Sequence, residues 1–405
     1  MKHDVGVVGS GPAGLAAALS VAQSGVSVVV VAPPPSQTDN RTAALFTGSV
    51  RLLENLGVWE NCRIAAEPLR AIRIVDDTGS LLRAPEVLFS AAEVGLETFG
   101  YNVPNLSLVG AMRAQAAASE TLTLMETVGV RELNICTDHV NLKLAEGHQV
   151  TVRLVIGADG RNSLSRQAAG IAARTWTYEQ SALTCTFKHQ RPHDGVSTEF
   201  HRVGGPLTVV PAPGHSSNLV WVERPAVVRR LADLDEETFR DALEARLQGL
   251  LGPIQELSAR RLFPLSGLKA DAAGQNRVAL VGEAAHVIPP IGAQGLNLGL
   301  RDAAIIADCI GDALNQDLDI GGPQTLAAYT RARSFDIASR AWSIDILNQS
   351  LISEFLPVQL MRGLGLHALK AIGPLRRLAI REGLTPSFVT PRLMRFEEKT
   401  TAHTS

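Results

Sequence analysis

The sequence has few cysteines and almost no net charge, and both features argue against whole classes of protein. Its 405 residues include only Cys62, Cys136, Cys185 and Cys309, which lie far apart without a CxxC pair. This spacing argues against a disulfide framework and a zinc site. It favours a reducing compartment, so we expect a cytoplasmic protein. The net charge of −2 gives no indication of a nucleic-acid partner.

Charge is also missing from the N-terminal segment, where no charged residue occurs between Asp4 and Asp39. In hydropathy alone, such a stretch resembles a signal peptide or a membrane-spanning helix. Glycines and Pro12 interrupt it, however, and its two apolar runs have the length of strands. No other stretch is long and apolar enough to span a bilayer. With 45% hydrophobic and 19% charged residues, we expect a globular protein of two or three lobes.

Motifs of hydrolytic and metal-dependent enzymes are absent as well. The chain contains no HExxH and no GxSxG. His189 and His193 lie four residues apart, but Pro192 breaks the helix that would bring them together. We therefore predict no metal site.

What the sequence does contain begins with a glycine fingerprint, Gly9-Ser10-Gly11-Pro12-Ala13-Gly14. It follows a predicted strand, Val5–Val8, and opens a helix predicted over Ala13–Ser24. The first glycine allows a tight turn, the second lets the backbone approach a pyrophosphate, and the third lets the helix pack on the strand. The helix directs free N–H groups at the phosphates. This segment predicts a dinucleotide site; the alternative is a tight turn in another α/β protein.

The second strand of this unit ends at Ala32, where an acidic residue usually holds a ribose. An alanine side chain cannot accept a hydrogen bond from a ribose hydroxyl. Two explanations are open. Either the site prefers the 2′-phosphate of NADP, which Arg41 would bind, or Asp39 or backbone groups hold the ribose instead.

A second strand–turn–helix pattern spans Arg153–Arg166 and carries Asp159-Gly160 at its turn. Ser163 and Arg166 follow one helical turn apart. Taken alone, the pattern leaves two roles for Asp159, a contact to a ligand or a local turn former and helix cap.

A third pattern spans Asn276–Ile310. The predicted strand Val278–Val281 runs into Gly282-Glu283, and a loop rich in proline and glycine, Pro289–Gly295, leads into a helix. Such a loop exposes N–H groups at a helix start, which suits an anionic or electron-accepting ring.

Together, the three motifs resemble those of the flavoprotein aromatic hydroxylases with the p-hydroxybenzoate hydroxylase fold. Members carry a glycine fingerprint, then a DG motif, then a GD motif followed by PxxGQGxNxGxxDA, and residues 1–335 match this order and spacing. The resemblance implies an α/β protein. It would have a Rossmann-like FAD-binding domain, an inserted antiparallel β-sheet substrate domain and a C-terminal helical segment. It also implies FAD as cofactor, with NAD(P)H and O2 as co-substrates.

Two further segments, Asp39–Leu45 and Gly100–Asn105, are similar to segments of the ubiquinone-biosynthesis hydroxylases within this class. The flavin would carry the redox chemistry, so the resemblance implies no indispensable side-chain nucleophile. His286 is expected to make structural hydrogen bonds, with an acid/base role as the alternative. The residues assigned to the cofactor are Gly9, Gly11, Pro12, Ala13, Gly14, Arg41, Asn105, Arg113, Val130, Asp159, Gly282, Glu283, Pro290, Gly292, Gly295, Leu296 and Asn297.

Three positions depart from the family pattern. Ala32 lacks the ribose acid, Glu283 stands where the family has aspartate, and Ala293 stands where the family has the first glycine of GQG. Glutamate keeps the carboxylate but moves it outward by one C–C bond, about 1.5 Å. These departures bear on the affinity for FAD. They keep open the alternative of a non-catalytic scaffold subunit in a membrane biosynthetic complex.

The resemblance and the change in composition along the chain suggest six segments. The FAD-binding domain would comprise 1–70, 100–175 and 269–335, the substrate domain 71–99 and 176–268, and a helical region 336–405. Short β-rich runs broken by glycine and proline predict an antiparallel sheet in the substrate domain. Phe200, Val209 and Trp221 are candidates to line the substrate cavity, against the alternative of ordinary core.

The C-terminal segment Leu356–Arg381 is mostly apolar and carries five basic residues. It suits either a helical hairpin on the protein surface or a peripheral element on the inner membrane. The substrate implied by the resemblance is an aromatic compound, and the leading choice is a polyprenylated phenol of ubiquinone synthesis. A soluble aromatic compound is the alternative, and a multi-enzyme complex is a further expectation.

Overall fold

The computed structural model describes residues 1–35, 38–39, 41–79, 85–290, 292–334, 336–337, 367, 370–384 and 390–395. Three sheets form the framework. The strands are β1 Lys2–Val8, β2 Val28–Ala32, β3 Thr42–Phe46, β4 Glu67–Leu69, β5 Ala71–Asp76, β6 Val87–Ser90, β7 Gly100–Pro104, β8 Leu122–Glu126, β9 Val130–Ile135, β10 Val140–Leu144, β11 Gln149–Gly157, β12 Ala173–His189, β13 Val196–His201, β14 Leu207–Ala212, β15 Ser216–Glu223, β16 Ile254–Leu257, β17 Arg261–Ala270, β18 Gly274–Gln275, β19 Val278–Leu280 and β20 His286–Val287.

The described helices lie mainly around the first sheet. They are α1 Pro12–Ala22, α2 Thr47–Asn55, α3 Trp59–Arg63, α4 Asn105–Ala117, α5 Leu164–Ala168, α6 Pro225–Asp233, α7 Glu236–Leu247, α8 Gln294–Asn315, α9 over 323–334 and α10 Gly373–Leu384. None of the helices in these described ranges is long and apolar enough to cross a membrane.

The first sheet has a parallel centre in the order β19-β11-β1-β2-β8. Its central strands are nearly continuous runs of valine, leucine and isoleucine, because both faces are covered. On one face, α1, α4 and α8 pack with the apolar side chains of β1 and β2 into the largest core cluster. The carboxyl ends of the parallel strands therefore meet along one edge, where nucleotides bind in sheets of this kind.

The second sheet follows the order β20-β17-β12-β15-β14-β13-β5-β6. Its pairs are antiparallel except for β13 with β5. The α/β fold class with an antiparallel second sheet is confirmed. The strand predicted near Ala71 joins this sheet, as expected, but it pairs in parallel. The short sheet β3-β7-β4 lies between the two large ones, and Asn102 of β7 donates from Nδ2 to Asn218 Oδ1 of β15.

One face of the second sheet is covered by α6 and α7, and the candidate substrate residues lie there. Phe200, Val209 and Trp221 are 3%, 2% and 3% exposed and share a core cluster with Val228 and Phe239 of these helices. Side chains alternate between the two faces of a sheet along each strand. These three therefore point to the face that α6 and α7 cover. Their burial beside α6 and α7 favours the alternative of ordinary core, and the substrate-lining role of these three stays a prediction.

The C-terminal helix α10 rests on the edge of the second sheet. Ile380 packs with Val87, Phe89 and Phe99. Arg376 Nε donates to Glu93 Oε2 at 2.6 Å. Half of the segment Leu356–Arg381 singled out in the sequence, however, lies outside the described residues.

The buried imidazole of His189 makes the fold sensitive to acid. Its Nδ1 lies 2.7 Å from the Arg191 carbonyl and its Nε2 3.0 Å from Ser217 Oγ. Burial lowers the pKa of His189, although the Arg191 carbonyl opposes that shift. The unfolded chain therefore binds a proton at this site more readily than the folded chain. This part of the stability is present above pH 6.5 and is lost as the pH falls through the folded pKa.

We expect the melting temperature to fall between pH 7.5 and pH 5.5, and to fall less in His189→Asn. Differential scanning calorimetry at both pH values measures this. His148→Asn, at an exposed histidine, serves as the matched control. An equal fall in His189→Asn and the wild type would contradict the assignment.

Candidate active site

The glycines of the fingerprint divide into two kinds by their surroundings. A Cβ on Gly9, which has φ +112°, would lie 2.3 Å from the Ala158 carbonyl oxygen, and one on Gly14 would lie 2.2 Å from the Gly9 oxygen. These two glycines allow the turn and the close packing of α1 on the sheet. A Cβ on Gly11 would meet no protein atom within 4 Å. The open space beside Gly11 is the property expected where a ligand approaches the backbone.

Helix α1 begins directly behind this space. Gly11 is its N-cap residue and Pro12 occupies the first turn, so no side chain caps its free N–H groups. Ala13 packs on the third motif, since Cβ atoms on Gly282 and Gly299 would lie 3.0 and 3.2 Å from its Cβ. The fingerprint and the third motif thus form one edge with unsatisfied donors at its centre.

The second motif lies on the next strand of the same edge. Asp159 follows β11 and accepts hydrogen bonds from Ser163 Oγ and from the Ser165 N–H at 2.9 Å. Ser163 also caps α5 by accepting from the Arg166 N–H at 2.9 Å. Arg166 is buried and donates to the Ala284 carbonyl at 2.8 Å, which joins the second motif to the third. Asp159 therefore has the local turn-forming contacts; a ligand contact for it remains a proposal.

A buried carboxylate organises the third motif. Asp302 of α8 is fully buried and accepts from the Gly282 N–H at 2.8 Å. Its Oδ2 lies 2.7 Å from His286 Nε2, and its Oδ1 accepts from Arg333 Nε at 2.6 Å. Burial alone would raise the pKa of Asp302, but the Arg333 guanidinium and His286 more than offset it and hold that pKa below its usual value. The carboxylate thus fixes the turn that presents Gly282 and Glu283.

The candidate acid/base residue His286 is part of this network. It is 2% exposed and bonds through Nε2 to Asp302, while its Nδ1 has no hydrogen-bond partner among the described residues. Because β20 pairs with β17 of the second sheet, His286 also lies at the boundary between the first sheet and the second. This geometry favours the structural role over proton transfer.

The loop before α8 presents further donors. Gly292 and Ala293 both adopt left-handed backbone conformations, with φ of +65° and +54°, and α8 begins at Gln294. A non-glycine residue in this region costs roughly 1–2 kcal/mol, so the alanine that replaces the family glycine keeps the loop shape at an energetic cost. A Cβ on Gly295 would meet no atom within 4 Å, which leaves that backbone open.

The side chain of Asn297 holds this loop against the small sheet. Its Nδ2 donates to the Ala44 and Ala293 carbonyls at 2.8 and 2.7 Å, and its Oδ1 accepts from the Phe46 N–H and Ser49 Oγ. Because all its capacity is used within the protein, the side chain positions the loop and leaves only the backbone for a ligand.

Charged groups line the opening of the site. Arg41 donates from Nε and Nη2 to both oxygens of Asp39, each at 2.8 Å, and Asn105 Nδ2 donates to Asp39 at 3.2 Å. Burial tends to raise the pKa of Asp39, but the Arg41 hydrogen bonds lower it to about 2. The Asp39 hydrogen bond and, more weakly, the charge of Glu283 raise the pKa of Arg41. Arg41 and Glu283 therefore share one opening.

The remaining assigned residues lie on four different elements. Arg113 of α4 forms an ion pair with Glu126, Val130 packs at the start of β9, Pro290 is exposed in the loop, and Leu296 lies in the first turn of α8. Among the parts of the chain that the structure describes, no three metal-ligating side chains come together. Sequence reasoning missed Arg333 and the anchoring role of the Asn297 side chain. Arg333 lies outside the three motifs, and the residue type of Asn297 does not indicate that its partners lie in a distant element.

These residues fit FAD. The uncapped N-termini of α1 and α8 and the open backbone at Gly11 and Gly295 suit a pyrophosphate and the electron-accepting ring. Asn105 Oδ1, which is buried without a partner among the described residues, offers an unused acceptor at the same opening.

Comparison with known proteins agrees. The solved p-nitrophenol 4-monooxygenase PnpA from Pseudomonas putida superimposes with a TM-score of 0.78 at 19% identity, covering 96% of this chain and 100% of that one. The FAD binding domain family matches residues 2–343. Ubiquinone hydroxylase UbiL of Rhodospirillum rubrum is 35% identical over 97% of this chain and 92% of its own length. The 3-demethoxyubiquinol 3-hydroxylase of Escherichia coli is 32% identical over 94% and 98%.

The protein is an FAD-dependent monooxygenase. It belongs to the ubiquinone hydroxylase family within the FAD binding domain proteins.

The buried Asp302 network should contribute strongly to stability. Asp302→Asn removes the charge that Arg333 faces, and breaking one side of a buried ion pair costs about 3–5 kcal/mol. We expect a loss of about 3 kcal/mol in the free energy of unfolding, measured by guanidinium denaturation. Asp312→Asn, which breaks an exposed pair with Arg392, should cost less than about 1 kcal/mol. Similar small losses in both variants would contradict this role.

Proposed function

We propose that the protein hydroxylates the aromatic ring of a ubiquinone precursor, a polyprenylated phenol, with NAD(P)H and O2. The proposal rests above all on full-length similarity to relatives that are named for ubiquinone hydroxylation. The balanced reaction is ArH + NAD(P)H + H⁺ + O2 → ArOH + NAD(P)⁺ + H2O. Bound FAD supplies the two-electron chemistry and the activation of O2.

The protein's own residues then bind, orient and exclude water. The backbone at Gly11 and the N-terminus of α1 would hold the pyrophosphate. The backbone N–H groups of Gly295–Asn297 at the start of α8 would stabilise negative charge on the reduced ring. The Asn297 side chain and Asp302 keep these donors in place through the contacts described above.

The face of the second sheet opposite α6 and α7 suits an apolar aromatic substrate. Val220 and Val222 point to this face together with Ala182 and Leu265, and Asn218 on the same face reaches Asn102 of the small sheet. These side chains lie on the side of the FAD-binding sheet, where a substrate ring has to lie. They take the place of Phe200, Val209 and Trp221 as proposed lining residues.

A lipid surface is the proposed neighbour of α10. Ile372, Leu375 and Leu378 are 49%, 40% and 56% exposed, whereas Ile380 on the opposite side is buried against the sheet. Lys370, Arg377 and Arg381 are also exposed. An apolar stripe beside cations is the arrangement of helices that lie in the interface of anionic membranes. Such contact would bring the site to a substrate with a long apolar tail.

The proposed reaction is tested with purified protein, FAD, NAD(P)H and a polyprenylated phenol. We expect an absorption spectrum of bound flavin near one per chain, and O2 consumption matched by hydroxylated product. Gly11→Val should retain the fold, since no protein atom lies near its Cβ, but lower FAD affinity at least tenfold and abolish turnover. Gly14→Val, which would clash with Gly9, should instead lose stability. A folded wild type that binds no FAD would favour the scaffold alternative.

Membrane contact is tested by co-sedimentation with vesicles. Leu375→Glu/Leu378→Glu places charge on the exposed stripe, so the fraction bound to vesicles with anionic lipid should fall several-fold. Ile64→Glu, at an isoleucine that is 90% exposed elsewhere on the surface, should leave binding unchanged. Equal vesicle binding by the wild type, the double variant and Ile64→Glu would contradict membrane contact through α10.

A further inference from the structure

The missing ribose acid at Ala32 leaves a gap at the nucleotide edge. Ala32 ends β2, is 6% exposed and offers no side-chain acceptor. The position where the family carries the ribose-binding acid therefore has no carboxylate in this chain. Any replacement has to lie at the same edge of the sheet and within about one strand spacing.

Asp39, one earlier candidate, is already engaged. Its two oxygens accept from Arg41 Nε, Nη2 and the backbone N–H, and from Asn105 Nδ2. Breaking these bonds to reach a ribose would leave the Arg41 charge without its partner. The other explanation, that Arg41 binds a 2′-phosphate, meets the same objection, because Arg41 already binds Asp39 through two nitrogens.

Glu126 lies beside the gap. It ends β8, the strand next to β2, and is paired in register with Ala32. The next residue, Thr127, donates its N–H to the Ala32 carbonyl at 3.1 Å, which fixes the two strand ends together. Neighbouring strands lie about 4.8 Å apart, and a glutamate carboxylate extends roughly 4 Å from its Cα. Its reach therefore covers the space that an acid at position 32 would fill.

The Glu126 carboxylate is both oriented and available. Arg113 Nη2 of α4 donates to Oε1 at 2.5 Å, while Oε2 accepts no hydrogen bond from the described residues. The side chain is 53% exposed, and Arg113 is 20% exposed. An oriented carboxylate with one open oxygen is the acceptor that a pair of ribose hydroxyls requires.

We propose that Glu126, oriented by Arg113, accepts a hydrogen bond from the adenosine ribose of FAD in place of the acid missing at Ala32. The ribose contact has thus moved from the end of β2 to the end of the adjacent parallel strand. The proposal rests on FAD being the cofactor, as argued above, and it concerns only the adenosine half of that molecule.

The test measures binding of ADP, 2′-deoxy-ADP and 3′-deoxy-ADP to the apoprotein by competition with FAD. A hydrogen bond to a charged acceptor corresponds to roughly a tenfold or larger effect on affinity. We expect the wild type to prefer ADP to at least one deoxy analogue by about that factor. Glu126→Ala should bind ADP about tenfold more weakly and lose this preference.

Glu132→Ala is the matched control, because Glu132 also projects from a strand, is half exposed and pairs with a cation, Lys143. It should retain wild-type affinity and preference. Ala32→Glu in the Glu126→Ala background should restore both, which a merely structural role of Glu126 would not allow.

Wild-type ADP affinity and ribose preference in Glu126→Ala would overturn the inference while leaving the proposed function intact. Failure of the wild-type apoprotein to bind FAD would overturn both.

Discussion

The site depends on one buried carboxylate. Asp302 receives hydrogen bonds from the Gly282 backbone and His286, which belong to the third motif, and from Arg333 of α9. Removing an ionised carboxylate from water is costly, and only several donors at short distance offset that cost. The arrangement therefore persists as a unit or fails as a unit. Because the turn at Gly282 depends on it, so does the edge where FAD is proposed to bind.

The same network joins the lobes. Arg333 of α9 binds Asp302 and donates to Asp336 at 2.6 Å, while His286 belongs to a strand that pairs with the second sheet. Arg166 adds a bond from the second motif to the Ala284 carbonyl. The second and third motifs are thus connected through buried polar contacts, and the fingerprint joins them through packing. Fixed donors of this kind suit a cofactor that reacts in a set orientation.

Much of the fold could be predicted because its signals are local. The fingerprint and the flanking valine runs predicted β1, α1 and β2 to within a few residues. The faces of the second sheet could not be predicted. Phe200, Val209 and Trp221 have the right residue types for a cavity, but only the helices α6 and α7 decide which face they share. These helices come from a separate part of the chain, and no pattern within the strands indicates which face the helices cover.

The site was predicted unevenly for a related reason. A glycine within a motif indicates the local backbone conformation, so the motif positions could be recognised from the sequence. Side-chain partners such as Arg333 for Asp302 depend on distant elements. The three departures also differ in kind once placed in space. Glu283 keeps a carboxylate at the opening, and Ala293 keeps the left-handed loop at some energetic cost. Ala32 alone removes a function, and the register of the neighbouring strand places Glu126 where that function can be restored.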